Sequence, residues 1–219
     1  MKTKIIGIAS TLLCTATVLC SGASSAEAAN LVVNGGFEAS GLQNGTWNHF
    51  GAGEVLGWIP TAGSRIEIRN NVVGTAYEGQ HFAEVDSHYY DINAPEIGFF
   101  QDIATEIGKQ YKLSFAYGPR QEQRVNGDNL FSASFGNFIQ EFNAGNSNDG
   151  WKTFTQTITA TSTNTRLKFL SLGIRDTLGA NVDDVSVVAV PEPASMLGLL
   201  AIGAIGAAST LKQTKKQEA

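Results

Sequence analysis

Between residues 30 and 190 the chain alternates apolar and polar positions at short range. In Tyr111-Lys112-Leu113-Ser114-Phe115-Ala116-Tyr117 the large side chains stand two residues apart, the period of a strand with one packed face and one wet face. Similar short runs, rich in β-branched and aromatic residues and separated by Gly, Asn, Pro and Asp, predict strands over 55–59, 65–69, 81–86, 98–103, 110–117, 129–135, 138–142, 152–160, 165–172 and 182–188. Asn34-Gly35, Asn44-Gly45 and Asn126-Gly127 are tight-turn dipeptides. No long stretch shows a helical apolar period. The expected class is therefore all-β, its faces buried in a sandwich or barrel.

The two ends break this pattern. Lys2 and Lys4 precede an apolar run from Ile5 to Leu19 and the cleavage triplet Ala26-Glu27-Ala28, which reads as a signal peptide for Sec export and signal peptidase. At the other end Val190-Pro191-Glu192-Pro193 leads into a charge-free stretch from Ala194 to Leu211, then Lys212, Lys215 and Lys216. That length is at the lower edge of what crosses a roughly 30 Å hydrocarbon core as a transmembrane helix, and the lysines favour a cytoplasmic end. A buried surface helix would carry a polar stripe, which this segment lacks. Gly198, Gly203, Gly206 and five alanines make it a loosely held span. The expected organisation is a signal peptide at 1–29, a β-sandwich domain at 30–189 and a membrane-directed tail at 190–219.

Pro191-Glu192-Pro193, the Gly/Ala-rich span and the short basic end resemble the PEP-CTERM sorting signal of bacterial surface proteins. The resemblance implies recognition by an exosortase, a membrane-embedded cysteine transpeptidase that cuts near the Pro-Glu-Pro motif. It also implies transient membrane anchoring followed by a cell-surface or extracellular location.

Composition narrows the domain itself. Both cysteines, Cys14 and Cys20, lie in the leader, so the exported chain has no disulfide or thiol chemistry. All twenty Phe, Tyr and Trp residues fall between 30 and 190, enough for a sizeable core. Ten Lys and Arg stand against seventeen Asp and Glu there, a poor balance for nucleic acid or anionic lipid. No phosphate loop or zinc spacing appears.

Several landmarks along the domain are similar to those of galactose-binding-like jelly rolls, the fold of many carbohydrate-binding modules. They are Asn30-Leu31-Val32-Val33-Asn34-Gly35-Gly36-Phe37-Glu38, Gly57-Trp58, Trp151-Lys152-Thr153-Phe154 and Asn181-Val182-Asp183-Asp184-Val185-Ser186-Val187. The first and last strands of a jelly roll lie close together, which would bring Glu38 near Asp184, with Asp86 ending a strand that reaches the same edge. The resemblance implies a structural calcium held by Glu38 and Asp184, and Asp86 is the third candidate, because hard cations take six to eight oxygens. The other reading is that these carboxylates cap turns. Strand alternation sets Asp183 on the face opposite Asp184.

Sugar recognition requires exposed aromatic faces flanked by fork-shaped or amide donors. The candidates are Trp47, the His88-Tyr89-Tyr90 cluster, Arg120 and Arg175, whereas Trp58 and Trp151 read as core anchors. Any of the loop residues can equally be ordinary solvated surface. Catalysis is not expected: Glu84 and Asp86 share a strand face rather than flanking a cleft, and no nucleophile or zinc constellation accompanies His49, His81 and His88. Two classes remain, a module binding glycan such as exopolysaccharide without catalysis, and a structural surface protein with no specific ligand.

Overall fold

The computed structural model describes residues 29–87, 91, 93–121 and 128–191. The expected signal peptide, the His88-Tyr89-Tyr90 cluster, Glu192, Pro193 and the apolar tail lie outside the described residues. After a single 3-10 turn at Glu38–Ser40 come β1 (Thr46–Phe50), β2 (Ile59–Pro60), β3 (Ile66–Asn70), β4 (His81–Glu84), β5 (Gly98–Ala104), β6 (Gln110–Gly118), β7 (Leu130–Phe135), β8 (Phe138–Asn143), β9 (Lys152–Thr159), β10 (Asn164–Ser171) and β11 (Asn181–Ala189). They form two antiparallel sheets, β1-β3-β4-β11-β6-β9 and β2-β5-β10-β7-β8, stacked as the expected all-β sandwich. Among the described residues no helix is long and apolar enough to cross a membrane.

Alternation explains the interior. Tyr111, Leu113 and Phe115 of β6 are buried between the sheets while Lys112 is exposed. Phe115 lies at the centre, with ring centroids 5.1 Å from Phe154, 5.2 Å from Phe169 and 5.4 Å from Phe142. Trp58 anchors the other half of the core, stacking on Phe37 at 5.4 Å and meeting Phe99 edge-on at 5.3 Å. Its indole N–H donates to the Asn34 carbonyl at 3.0 Å, so burial leaves no polar atom unpaired. The whole core lies between Val32 and Ala189.

Two elements differ from expectation. Residues 55–59 form a turn closed by a Val55–Trp58 bridge, and only Ile59–Pro60 pairs, with β5. β1 has no strand signature, because as an edge strand its five residues Thr-Trp-Asn-His-Phe are exposed or half-buried and need no apolar alternation.

The opening motif docks on the last strand. Leu31 N–H donates to the Val187 carbonyl at 2.8 Å, and the Asn30 side chain accepts from Val187 N–H at 3.0 Å. Gly35 passes so close that a Cβ there would stand 2.0 Å from the Val185 carbonyl oxygen, so only glycine fits. β11 begins at Asn181, beside Glu84 and Gly118, and ends at Ala189, beside Tyr111. The chain leaves where Val190 N–H meets the Gln110 carbonyl at 2.8 Å, about 30 Å along the strand from Asn181.

Trp58→Ala or Phe115→Ala is expected to lower stability by about 3–5 kcal/mol, read as a reduced urea midpoint in circular dichroism.

Candidate functional site

The outer face of the six-stranded sheet, which a simple sandwich would leave to water, is enclosed over β3, β4 and the start of β11, and stays open over β9. Register sets Trp47 beside Arg69 and Arg69 beside Phe82; in the next row His49 lies beside Glu67, Glu67 beside Glu84, Glu84 beside Asn181, and Asn181 beside Gly118. Glu67, Arg69, Phe82, Glu84 and Asn181 are all buried. Their cover includes residues 74–78, fastened by Trp151 Nε1 donating to the Thr75 carbonyl at 3.0 Å and by the Tyr77 and Glu78 amides donating to Asp183 Oδ2 at 2.9 and 3.0 Å.

Enclosure demands that the charges neutralise one another. Arg69 Nε donates to Glu67 Oε1 at 2.6 Å, its Nη1 to Asn181 Oδ1 at 3.3 Å and its Nη2 to Glu84 Oε2. Arg120 Nη1 donates to the same Glu84 oxygen at 2.6 Å, and Gly179 N–H donates to Glu84 Oε1. His49 Nε2 meets Glu67 Oε2 at 3.0 Å. Burial alone would raise the Glu67 carboxyl, but His49, Arg69 and Arg120 together hold it below its ordinary value. Two guanidiniums thus balance two carboxylates in a dry layer. This is where Arg120 differs from the expected glycan donor: its buried guanidinium points inward to Glu84. The exposed Arg175 is also committed, donating to the Ala94 and Pro95 carbonyls at 2.5 and 3.1 Å.

The aromatic candidates divide differently from expectation. Trp58 is a core anchor, but Trp151 is not: half-buried on the outer face, it meets Phe82 edge-on at 5.9 Å and Tyr77 at 6.1 Å. Trp47 stands 49% exposed on the same face, edge-on to His49 at 5.0 Å, and Tyr77 is 45% exposed. Tyr77 carried no signal in the sequence, and its pairing with Trp151 none either, since only the crossing of the face by 74–78 joins them. A cleft of about 150 Å³ opens here, lined by Thr75, Pro119, Gln121, Asp149, Trp151 and Asn181 among others.

The three acidic candidates do not meet as a triad. Glu38 Oε1 accepts from His81 N–H at 2.9 Å and from Gln80 N–H at 2.7 Å, at the start of β4, and Glu38 Oε2 meets His81 Nδ1 at 2.6 Å. Burial works against ionisation of Glu38, but these bonds outweigh it and its carboxyl lies below the ordinary value. Asp86 lies five residues beyond His81, about 16 Å further along the extended chain. Asp184 and Glu38 are linked through Glu78. The charge of Asp184 and its hydrogen bond to Glu78 raise the Glu78 carboxyl, burial adds to this, and Glu38 contributes further repulsion. A register shift between Asp183 and Ser186, with Asp184 at φ 48°, upsets the alternation expected there, so Asp183 and Asp184 both reach the 77–78 segment. Burial, abetted by Asp184, pushes Asp183 up to about 7 against the amides that it accepts. Among the described residues no three His, Asp or Glu side chains converge closely enough to hold a metal ion.

Asp86 is fully buried, and neither carboxylate oxygen makes a hydrogen bond of good geometry. Burial first, then the charge of Asp176, pushes it up to about 7, partly offset by the Asp176 and Thr177 amides and by Arg175.

Comparison with known proteins now bears on this site. Residues 189–212 match the PEP-CTERM protein-sorting motif. The motif implies recognition by an exosortase and hence an exported protein processed at the membrane. No curated protein matches the chain. Among solved structures, the Stig cyclase Fisc from Fischerella sp. TAU, in complex with (3Z)-3-(1-methyl-2-pyrrolidinylidene)-3H-indole, is similar at TM-score 0.56 and 19% identity, over 75% of this chain and 99% of that one. A family 16 carbohydrate-binding module aligns at TM-score 0.47 and 15% identity, over 73% of this chain and 99% of that one. TmCBM61 in complex with β-1,4-galactotriose aligns at 0.45 and 13%, over 74% and 100%. The likeness to the cyclase is one of fold, and fold by itself does not decide function.

Two outcomes follow for the buried charges. Glu84→Gln leaves Arg69 and Arg120 under-compensated and is expected to cost about 3–5 kcal/mol, measured by urea unfolding. Because Asp86 titrates higher folded than unfolded, its contribution to stability is greatest in acid and is lost as pH rises from about 4 to about 7. Asp86→Asn should therefore raise the melting temperature at about pH 8 and flatten its decline from about pH 5, as differential scanning fluorimetry would show.

Proposed function

We propose that residues 30–189 form a non-catalytic glycan-binding module presented at the cell surface, with the ligand lying along the outer face of the six-stranded sheet. The observation that carries this reading is the set of aromatic side chains on that face, Trp47, Tyr77 and Trp151, with Gln121 and the Asp149 carboxylate lining the cleft at Trp151. Aromatic rings take the C–H face of a pyranose, and amides and carboxylates take its hydroxyls. The enclosed ion layer beneath makes the floor rigid. An exopolysaccharide of the producing cell fits a shallow, open face better than a small molecule that needs a deep cavity.

Attachment is consistent with this. The chain leaves towards the sorting tail at the Val190 end of β11, whereas Asn181, Gln121 and Trp151 belong to the opposite end. A domain held by its tail turns that end away from the membrane. Sec export, signal-peptide removal, the transmembrane helix and cutting near Pro191, Glu192 and Pro193 belong to the same proposal. The tyrosines Tyr89 and Tyr90, with His88, remain candidate contacts. Calcium belongs to the proposal only through Glu38 and Asp184, the pair that the resemblance to carbohydrate-binding modules implies.

A glycan-array screen of residues 30–190, with and without calcium, tests the reading. Binding is expected to fall about tenfold in Trp47→Ala and in Tyr77→Ala while the melting temperature stays near wild type. A well-folded domain that binds no glycan would support the structural surface protein instead.

A further inference from the structure

Four strands form the sheet edges, and three of them are guarded. β1 is a five-residue strand carrying His49, β2 is two residues long and includes Pro60, and β8 carries Glu141. β9 is the least guarded: eight residues, Lys-Thr-Phe-Thr-Gln-Thr-Ile-Thr, pair with β6 without a register shift, and their one charge, Lys152, stands at the first position and leaves the rest of the edge uncharged. A long, regular, uncharged edge presents a row of unpaired backbone groups to any strand that fits it.

The free side of β9 is defined by its pairing. Ala160 exchanges both backbone bonds with the β6 side, donating to Lys109 and accepting from Gly108. Antiparallel alternation then turns the even residues of β9 towards β6, and the N–H and C=O groups of Thr153, Thr155, Thr157 and Thr159 outward. All four threonines are exposed. The β8 strand of the other sheet lines the same side of the sandwich, where Phe138 stacks on Phe154 at 5.9 Å with both rings only half-buried.

We propose that β9 is a self-association edge whose occupant is β9 of a second copy of this chain, in antiparallel register about a two-fold axis at Gln156. In this register Thr155 lies opposite Thr157 of the partner subunit, and Thr153 opposite Thr159 of the partner subunit. These four symmetric pairings use every outward backbone group in about eight hydrogen bonds. Phe154 faces Ile158 of the partner subunit, which covers the half-buried aromatic rim, and Lys152 meets no like charge. The contact is isologous, so it closes at a dimer rather than growing into fibres. The two six-stranded sheets become continuous, with both outer faces on one side.

The same symmetry has a consequence for processing. The two-fold axis reverses strand direction, so the two C-terminal ends leave at opposite poles of the dimer. Copies held upright on one membrane cannot pair in this way, whereas copies freed from their tails can. Dimerisation is therefore coupled to release.

Sedimentation of residues 30–190, the stretch that contains the entire core, tests the proposal independently of any glycan. The wild-type domain is expected to reach twice the mass of one chain as concentration rises. Gln156→Lys and Gln156→Glu place like charges together on the axis and should each sediment as monomers, while their equimolar mixture recovers the dimer. Thr155→Pro removes an outward N–H and leaves β6 pairing intact, so it should give a monomer with an unchanged melting temperature. A wild-type monomer at every concentration, a dimer that persists in the variants, or a mixture that stays monomeric would each overturn the proposal.

Discussion

A sheet buried on both faces can enclose charge only if the charge is internally balanced, and much of this domain answers to that requirement. On the inner side of the six-stranded sheet the answer is simple, since aromatic and aliphatic side chains from both sheets fill the space. On the outer side Arg69 lies fully buried between Glu67 and Glu84, and Arg120 arrives from the loop after β6 to complete the balance. Asn181 joins the layer by accepting from Arg69 and by donating to the Pro119 carbonyl at 3.0 Å, which holds that loop over the strand ends. The layer gives specificity of arrangement more than net stability, because a buried ion pair repays its desolvation only when its hydrogen bonds are complete.

The candidate site follows from this layer rather than from a cavity. Once 74–78 is fastened across the face, Tyr77 and Trp151 become neighbours although they are far apart in the chain, and Trp47 remains open at the sheet edge. Polar side chains that a sugar would meet are held by backbone geometry at strand ends, the usual place for function on a rigid scaffold. The sheet edges complete the picture: one sheet side is closed to water by loops over β3, β4 and the start of β11, and one lateral edge is the least guarded.

Carboxylates show how position overrides residue type. Glu38 and Asp86 both lie near the ends of β4, yet Glu38 is satisfied by the Gln80 and His81 amides whereas Asp86 is enclosed beneath the 175–179 loop, where the Asp176 and Thr177 amides offset its burial only in part. A Cβ on Gly179 would stand 2.4 Å from Asp86 Cβ, so the loop presses directly on it. Asp183 and Asp184, adjacent in sequence, also differ, one accepting three backbone amides and the other engaging Glu78.

Much of the fold was legible in the residues themselves. The two-residue period of 110–117 and 152–160 is a local property that a half-buried strand imposes, and the core tryptophan Trp58 and the exposed Trp47 were readable from their neighbours. The Pro191-Glu192-Pro193 motif with its apolar span and basic end is likewise contiguous, so its match to the sorting motif needed no fold. β1 was not legible, because an edge strand needs only a partner. The inward turn of Arg120, the outward place of Trp151, the separation of Asp86 from Glu38 and the shared direction of Asp183 and Asp184 were decided by the tertiary structure alone. Each depends on which segments cross the sheet and where the ladder shifts register, and those are contacts between residues far apart in the chain, which no local pattern encodes.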